Sequence, residues 1–156
     1  MATGDTLKTE SPMSKTLYRP RQLAYAAQSG LCFYCSCVMW LRSHEELTKP
    51  YGITKKQANR LQCTAEHLTP RSEGGSDMAS NLVAACLHCN STRHKRKIPP
   101  SPDRYLSQVR SRIARGGWHP PGVVNVLFRG TREDGQDAEI LRIHQGKEFG
   151  NGACAA

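Results

Sequence analysis

Apolar residues in this chain fall in short runs, each closed off by glycine, proline or a capping pattern. Residues 20–29, Pro-Arg-Gln-Leu-Ala-Tyr-Ala-Ala-Gln-Ser, put proline in a first turn, alanines in an interior and Gly30 just beyond the end. That order predicts a short helix that packs Leu23, Ala26 and Ala27 against the rest of the molecule. Ser43-x-x-Glu46 and Thr54-x-x-Gln57 both fit a capping box, with Pro50-Tyr51-Gly52 as a turn between them. Residues 61–69 and 81–86 read as short strands on either side of a polar loop, 71–78, that contains Gly74-Gly75. A helix is predicted to begin at Leu87 or His88 and to end at Ile98-Pro99-Pro100. Ser101-Pro102-Asp103 opens the next, which runs to Arg115 with Leu106, Val109 and Ile113 on one face. Residues 123–128 and 139–144 read as strands, and residues 1–17, poor in apolar side chains, as a disordered tail. The order strand, loop, strand, helix predicts an α+β fold around a ββα unit with flanking helices.

At 156 residues, one domain with extensions is expected: a tail over 1–18, a domain over 19–119 with an insert at 38–62, and an extension over 120–156. Charged residues make up 22% of the chain and hydrophobic ones 38%, which points to a small core that a bound metal would help to staple. A formal net charge of +9 favours a polyanionic partner, nucleic acid before others, over a merely soluble basic protein. The first twenty residues hold no apolar run for a secretory signal, and no stretch approaches a membrane span. A cytoplasmic, reducing setting is therefore expected. Seven cysteines in that setting read as metal ligands before disulfides.

Cys32-Phe33-Tyr34-Cys35 and Cys86-Leu87-His88-Cys89 share one spacing. Two residues between cysteines let both thiolates of a pair reach one tetrahedral ion, so Cys32, Cys35, Cys86 and Cys89 are predicted to bind a structural Zn2+ with no position left for water. Cys37 is a bystander or a competitor for that ion, Cys63 faces a strand core, and Cys154 lies near the end of the chain. Between and after these pairs, the residues suit phosphodiester hydrolysis. That reaction needs a base, a cation and groups that hold the backbone. His67 can be the base. Glu66 and Asn90 are hard ligands that suit Mg2+, and His94, one turn beyond Asn90, could be a third that extends the site to Mn2+. Arg71, Arg93, Lys95, Arg96 and Lys97 are candidate phosphate contacts, although basic residues at a helix end also suit the helix dipole. Lys55, Lys56 and Arg60 carry the same two readings.

Glu66-His67, Asn81 and Asn90, threaded through the Cys-x-x-Cys pairs, resemble an HNH endonuclease of the ββα-metal superfamily over Cys32 to Lys97. The resemblance implies that His67 is the general base and that Glu66 and Asn90 hold the catalytic divalent ion. It implies that Asn81 hydrogen-bonds across the Gly74-Gly75 loop and fixes the base strand, and that the cysteines bind structural zinc. Cleavage would leave a 5′-phosphate and a 3′-hydroxyl, most naturally in DNA. Glu66 stands where aspartate is commoner, and Asn90 where many members carry histidine. A noncatalytic zinc module that binds nucleic acid is the alternative; a redox or metallochaperone role leaves Glu66, His67, Asn81 and Asn90 unexplained.

Overall fold

The structure, a computed structural model, describes residues 15–125. The expected N-terminal tail, the strand at 139–144 and Cys154 lie outside those residues.

Helix α1, Lys15–Ala27, starts earlier than expected and carries Pro20 inside it. It ends through two left-handed residues, Ser29 at φ 52° and Gly30 at φ 75°. The expected packing face is wrong by nearly half a turn. Leu23 is 59% exposed, and Ala26 and Ala27 also face solvent. Arg21 is buried instead, with Ala24, Tyr25 and Gln28 along the same side. The polar ends of these side chains decide the orientation. Gln28 gives Nε2–H to Ala84 O at 2.8 Å and accepts from Ala84 N at 2.8 Å, so its amide substitutes for a neighbouring strand. Arg21 Nη1 donates to Cys63 O at 3.3 Å. A face chosen on apolarity alone misses such partners.

Helix α2, Glu45–Tyr51, has His44 as its N-cap rather than Ser43. Half of the expected box still forms, since Glu46 Oε1 accepts from Ser43 N at 2.9 Å. Pro50 and Tyr51 belong to its last turn, and Gly52, at φ 63°, is the left-handed cap that ends it. Helix α3, Lys55–Asn59, opens with the full Thr54–Gln57 box. Strands β1, Cys63–His67, and β2, Leu82–Cys86, pair antiparallel with Cys63 opposite Cys86 and His67 opposite Leu82. Helix α4, Leu87–Arg93, follows β2 with no loop between them. It stops well before Ile98, because Arg93 reaches Pro100 O at 3.0 Å and draws residues 94–100 back along the helix. Helix α5, Pro102–Ala114, buries Tyr105 and Val109 and partly covers Leu106 and Ile113. Residues 121–125 are helical, which overturns the start of the strand expected at 123–128. Pro120-Pro121 suits a first helical turn, and Val123 N and Val124 N both donate to Pro120 O.

The core gathers around the cysteines. Tyr34, Met39, Leu61, Val109 and Trp118 are buried in one cluster with Cys32, Cys35, Cys86 and Cys89. No helix among the described residues is long and apolar enough to cross a membrane.

Candidate active site above a four-cysteine cluster

The two Cys-x-x-Cys turns converge. The Sγ atoms of Cys32, Cys35, Cys86 and Cys89 all lie within 4.8 Å of one another, and all four residues are buried. Backbone and indole donors surround the sulfurs: Cys86 N to Cys32 Sγ at 3.2 Å, Cys89 N to Cys86 Sγ at 3.4 Å, and Trp118 Nε1 to Cys89 Sγ at 3.3 Å. Such donors favour thiolate over thiol. Burial pushes the Cys35, Cys86 and Cys89 thiols well up; at Cys32 burial is outweighed by hydrogen bonds from the other three. Four sulfurs this close, this dry and this well supplied with donors fit a bound Zn2+, whose charge would offset the cost of ionising them.

The cluster fixes the start of α4, and α4 lies beside the end of β1. Glu66 is 1% exposed. Its Oε1 accepts from Arg93 Nη1 and from Tyr34 Oη at 3.1 Å. Its Oε2 lies 3.1 Å from His94 Nε2. Burial and the Glu66 charge push the Tyr34 phenol above its ordinary value, so it donates as a neutral hydroxyl. Asn90 gives Nδ2–H to Thr64 Oγ1 at 2.9 Å and to Ala65 O at 3.2 Å, which leaves its Oδ1 out of both bonds. The Glu66 carboxylate and the His94 imidazole thus stand side by side, and the Asn90 amide is bonded to β1 at Thr64 and Ala65. His94 is the C-cap of α4 rather than a residue within it. A carboxylate oxygen free of its Arg93 partner, beside a half-exposed imidazole, is a donor set that a hard or borderline divalent ion fits.

His67, next along β1, points away from Glu66, as alternation on a strand requires. Its Nε2 lies 2.7 Å from Asp77 Oδ1. Asp77 in turn accepts from Arg71 Nε at 2.9 Å and Nη2 at 2.7 Å. The His67 bond and then Arg71 hold the Asp77 carboxyl below its usual value. An ionised carboxylate on Nε2 requires the proton there, which leaves Nδ1 of a neutral ring as the basic nitrogen. Asn81 ties the loop to the strand end: its Oδ1 accepts from Thr69 N at 2.8 Å, and its Nδ2 donates to Thr69 O at 3.1 Å and Ser76 O at 2.9 Å.

The basic residues divide. Lys95, Arg96 and Lys97 are exposed. Arg71 is engaged with Asp77. Arg93, expected among the phosphate contacts, is 2% exposed and turned inward. It also donates to His67 O at 2.9 Å and Leu68 O at 3.0 Å. A signal for this existed: Cys89 must face the cluster, and Arg93 lies four residues on, on the same helix face. The sequence reading also missed Asp77 and Tyr34. Asp77 lies in a polar loop and carries no spacing signal. Tyr34 could have been suspected, since it sits inside the first Cys-x-x-Cys turn.

A small two-stranded sheet with helices around it and a buried four-cysteine cluster that could hold zinc make a mixed α and β architecture. The family model described as HNH endonuclease matches residues 53–96, from just before α3 to just past α4. Residues 53–96 are therefore similar to an HNH endonuclease domain, and that segment points to nuclease or nucleic-acid-binding activity. No curated protein and no solved structure matches the chain.

Proposed function

We propose that the chain is a divalent-metal-dependent endonuclease that hydrolyses phosphodiester bonds, most naturally in DNA, with residues 19–119 as its nuclease domain. The observation that carries this reading is the split use of neighbouring residues at the end of β1. Glu66 turns inward, with one oxygen held by Arg93 and Tyr34 and the other beside His94. His67 turns outward, with its ring oriented by Asp77. A module that only binds nucleic acid needs neither arrangement.

Glu66 Oε2, His94 Nε2 and Asn90 Oδ1 are the atoms that would hold a Mg2+ or Mn2+ ion. When bound, such an ion supplies charge neutralisation at a phosphate and its leaving oxygen. His67 Nδ1 takes a proton from the attacking water as the new P–O bond forms. The bond from phosphorus to the 3′ oxygen breaks and that oxygen takes a proton from solvent water, leaving a 5′-phosphate and a 3′-hydroxyl. Asp77 and Asn81 are positioning residues: the first sets the tautomer of His67, the second the path of the loop. Because Arg93 already balances much of the Glu66 charge, an ion there would be held weakly, and the imidazole of His94 would favour manganese over magnesium.

Supercoiled plasmid incubated with the purified protein in Mg2+, in Mn2+ and in chelator, beside His67→Ala, tests the reading. Nicking or linearisation should need the ion and fall by about 100-fold or more in the variant, while plasmid retardation in a gel stays unchanged. Undiminished cutting by His67→Ala would remove that residue from its role. Absence of cutting by both proteins, with binding intact, would leave a nucleic-acid-binding module.

A further inference from the structure

Cys37 and His119 belong to neither site described above, yet the fold brings them together. Ser36 adopts a left-handed conformation at φ 55°. Its N–H donates to Cys32 O at 2.9 Å, and Cys32 N donates to Cys37 O at 2.9 Å. This turn curls Cys37 back beside Cys35. From the far end of the described chain, His119 enters the same space, its ring centroid 5.0 Å from that of His88. Cys35 Sγ, Cys37 Sγ and a ring nitrogen of His119 all lie within 4.8 Å of one another. All three residues are buried: Cys35 is 3% exposed, Cys37 0% and His119 5%.

The imidazole is the second observation. Both ring nitrogens of His119 are sealed from solvent and have no hydrogen-bond partner among the described residues. Leaving a buried polar group unmet costs roughly 1–3 kcal/mol, so such a ring calls for something to bind. The neighbouring donors are two sulfurs, and a soft or borderline cation is the partner that sulfur and imidazole share.

We propose that Cys37 and His119 hold a second zinc ion, linked to the first through a bridging Cys35 thiolate. Two ligands on one tetrahedral zinc stand roughly 3.5–4 Å apart, a separation that this cluster reaches with small side-chain movements. Charge argues the same way. Four thiolates on one zinc leave a buried charge of formally about −2. A fifth thiolate, a neutral imidazole and a second dication bring it to about −1, which is less costly to bury. With three protein ligands, the second ion's fourth position falls to a small ligand such as water. The second ion would tie residues 118–119 to the first Cys-x-x-Cys turn, so it is structural in effect and independent of phosphodiester cleavage.

Metal content decides the point. The full chain is loaded with excess Zn2+, desalted and analysed for zinc per chain, each protein carrying His94→Ala in addition so that an ion at Glu66 is not counted. Two equivalents are expected with Cys37 and His119 intact, and one each for His119→Ala and Cys37→Ser. One equivalent with both intact overturns the proposal, because a single ion that merely exchanges Cys37 for another thiolate gives that result. Two equivalents in either variant overturn it as well. His119→Gln replaces His119→Ala if the latter does not fold. Co2+ titration of the wild type needs no variant: the thiolate-to-cobalt absorption should grow through the second equivalent, and growth that stops at the first overturns the proposal.

Discussion

Four acceptors meet one guanidinium at Arg93: the Glu66 carboxylate and the carbonyls of His67, Leu68 and Pro100. Each belongs to the end of β1 or to the chain after α4, so this side chain sets the spacing between strand and helix on which the candidate ion site depends. Its fork geometry matters as much as its charge, since an ammonium offers no fixed planar set of donors. Truncation would leave the Glu66 carboxylate buried without its main partner. Arg93→Ala should therefore lower unfolding stability by about 3–5 kcal/mol. Arg93→Lys should recover only part of it. Urea unfolding of the two variants beside the wild type measures this. A loss below about 1 kcal/mol in Arg93→Ala would show that water reaches Glu66 and that the pair is not what holds β1 to α4.

The loop between β1 and β2 works as an element, and its two glycines do different things. Gly74 sits at φ 82° with open space where a Cβ would lie. Gly75 lacks that strain, but an added Cβ would fall 1.8 Å from Thr69 O and 2.9 Å from Asn81 Nδ2. Gly74 is thus needed for a backbone angle and Gly75 for a close approach. Gly74→Asn should be nearly neutral, because asparagine tolerates the left-handed region. Gly75→Ala must push the Thr69 carbonyl off Asn81 and should cost roughly 1–3 kcal/mol, together with most of any cutting activity. Thermal melts and plasmid cutting on the two variants separate these roles; equal effects would contradict the assignment. The same contrast explains what could be read before folding. The Thr54–Gln57 box, the strand pair, the two Cys-x-x-Cys turns and the start of α5 are written in local spacing, and they form as the spacing predicts. The inward face of α1, the burial of Arg93 and the Asp77–His67 contact are set by where Gln28, Glu66 and the 71–78 loop end up in space. No periodicity encodes those destinations. Cys37 with His119 is the extreme case, since the two are far apart in sequence and neither belongs to a spaced pair.

Across the whole molecule, the net charge of +9 must be placed before it explains binding. Arg93 is spent internally and Arg71 is paired with Asp77. Among the described residues, four exposed arginines gather in one place. Arg96, Arg104, Arg112 and Arg115, with Ser107 and Ser111, line a cleft of about 490 Å³ between the end of α4 and α5. Arg112 also stands 5.9 Å over the Trp118 ring, which stiffens that wall. A cleft with four exposed guanidinium groups and two serine hydroxyls suits a phosphate backbone better than base edges, so it should add affinity without sequence preference. Each phosphate contact carries a released counterion. Replacing both Arg104 and Arg115 with alanine should therefore reduce the slope of log affinity against log salt by about 2, equally for unrelated duplexes. The cysteine cluster, Glu66 and His67 are untouched by this change. The double variant should then need more nucleic acid to reach half-maximal cutting, with the saturated rate unchanged. An unaltered salt slope would take Arg104 and Arg115 out of the binding face and leave Lys95, Arg96 and Lys97 among its candidates.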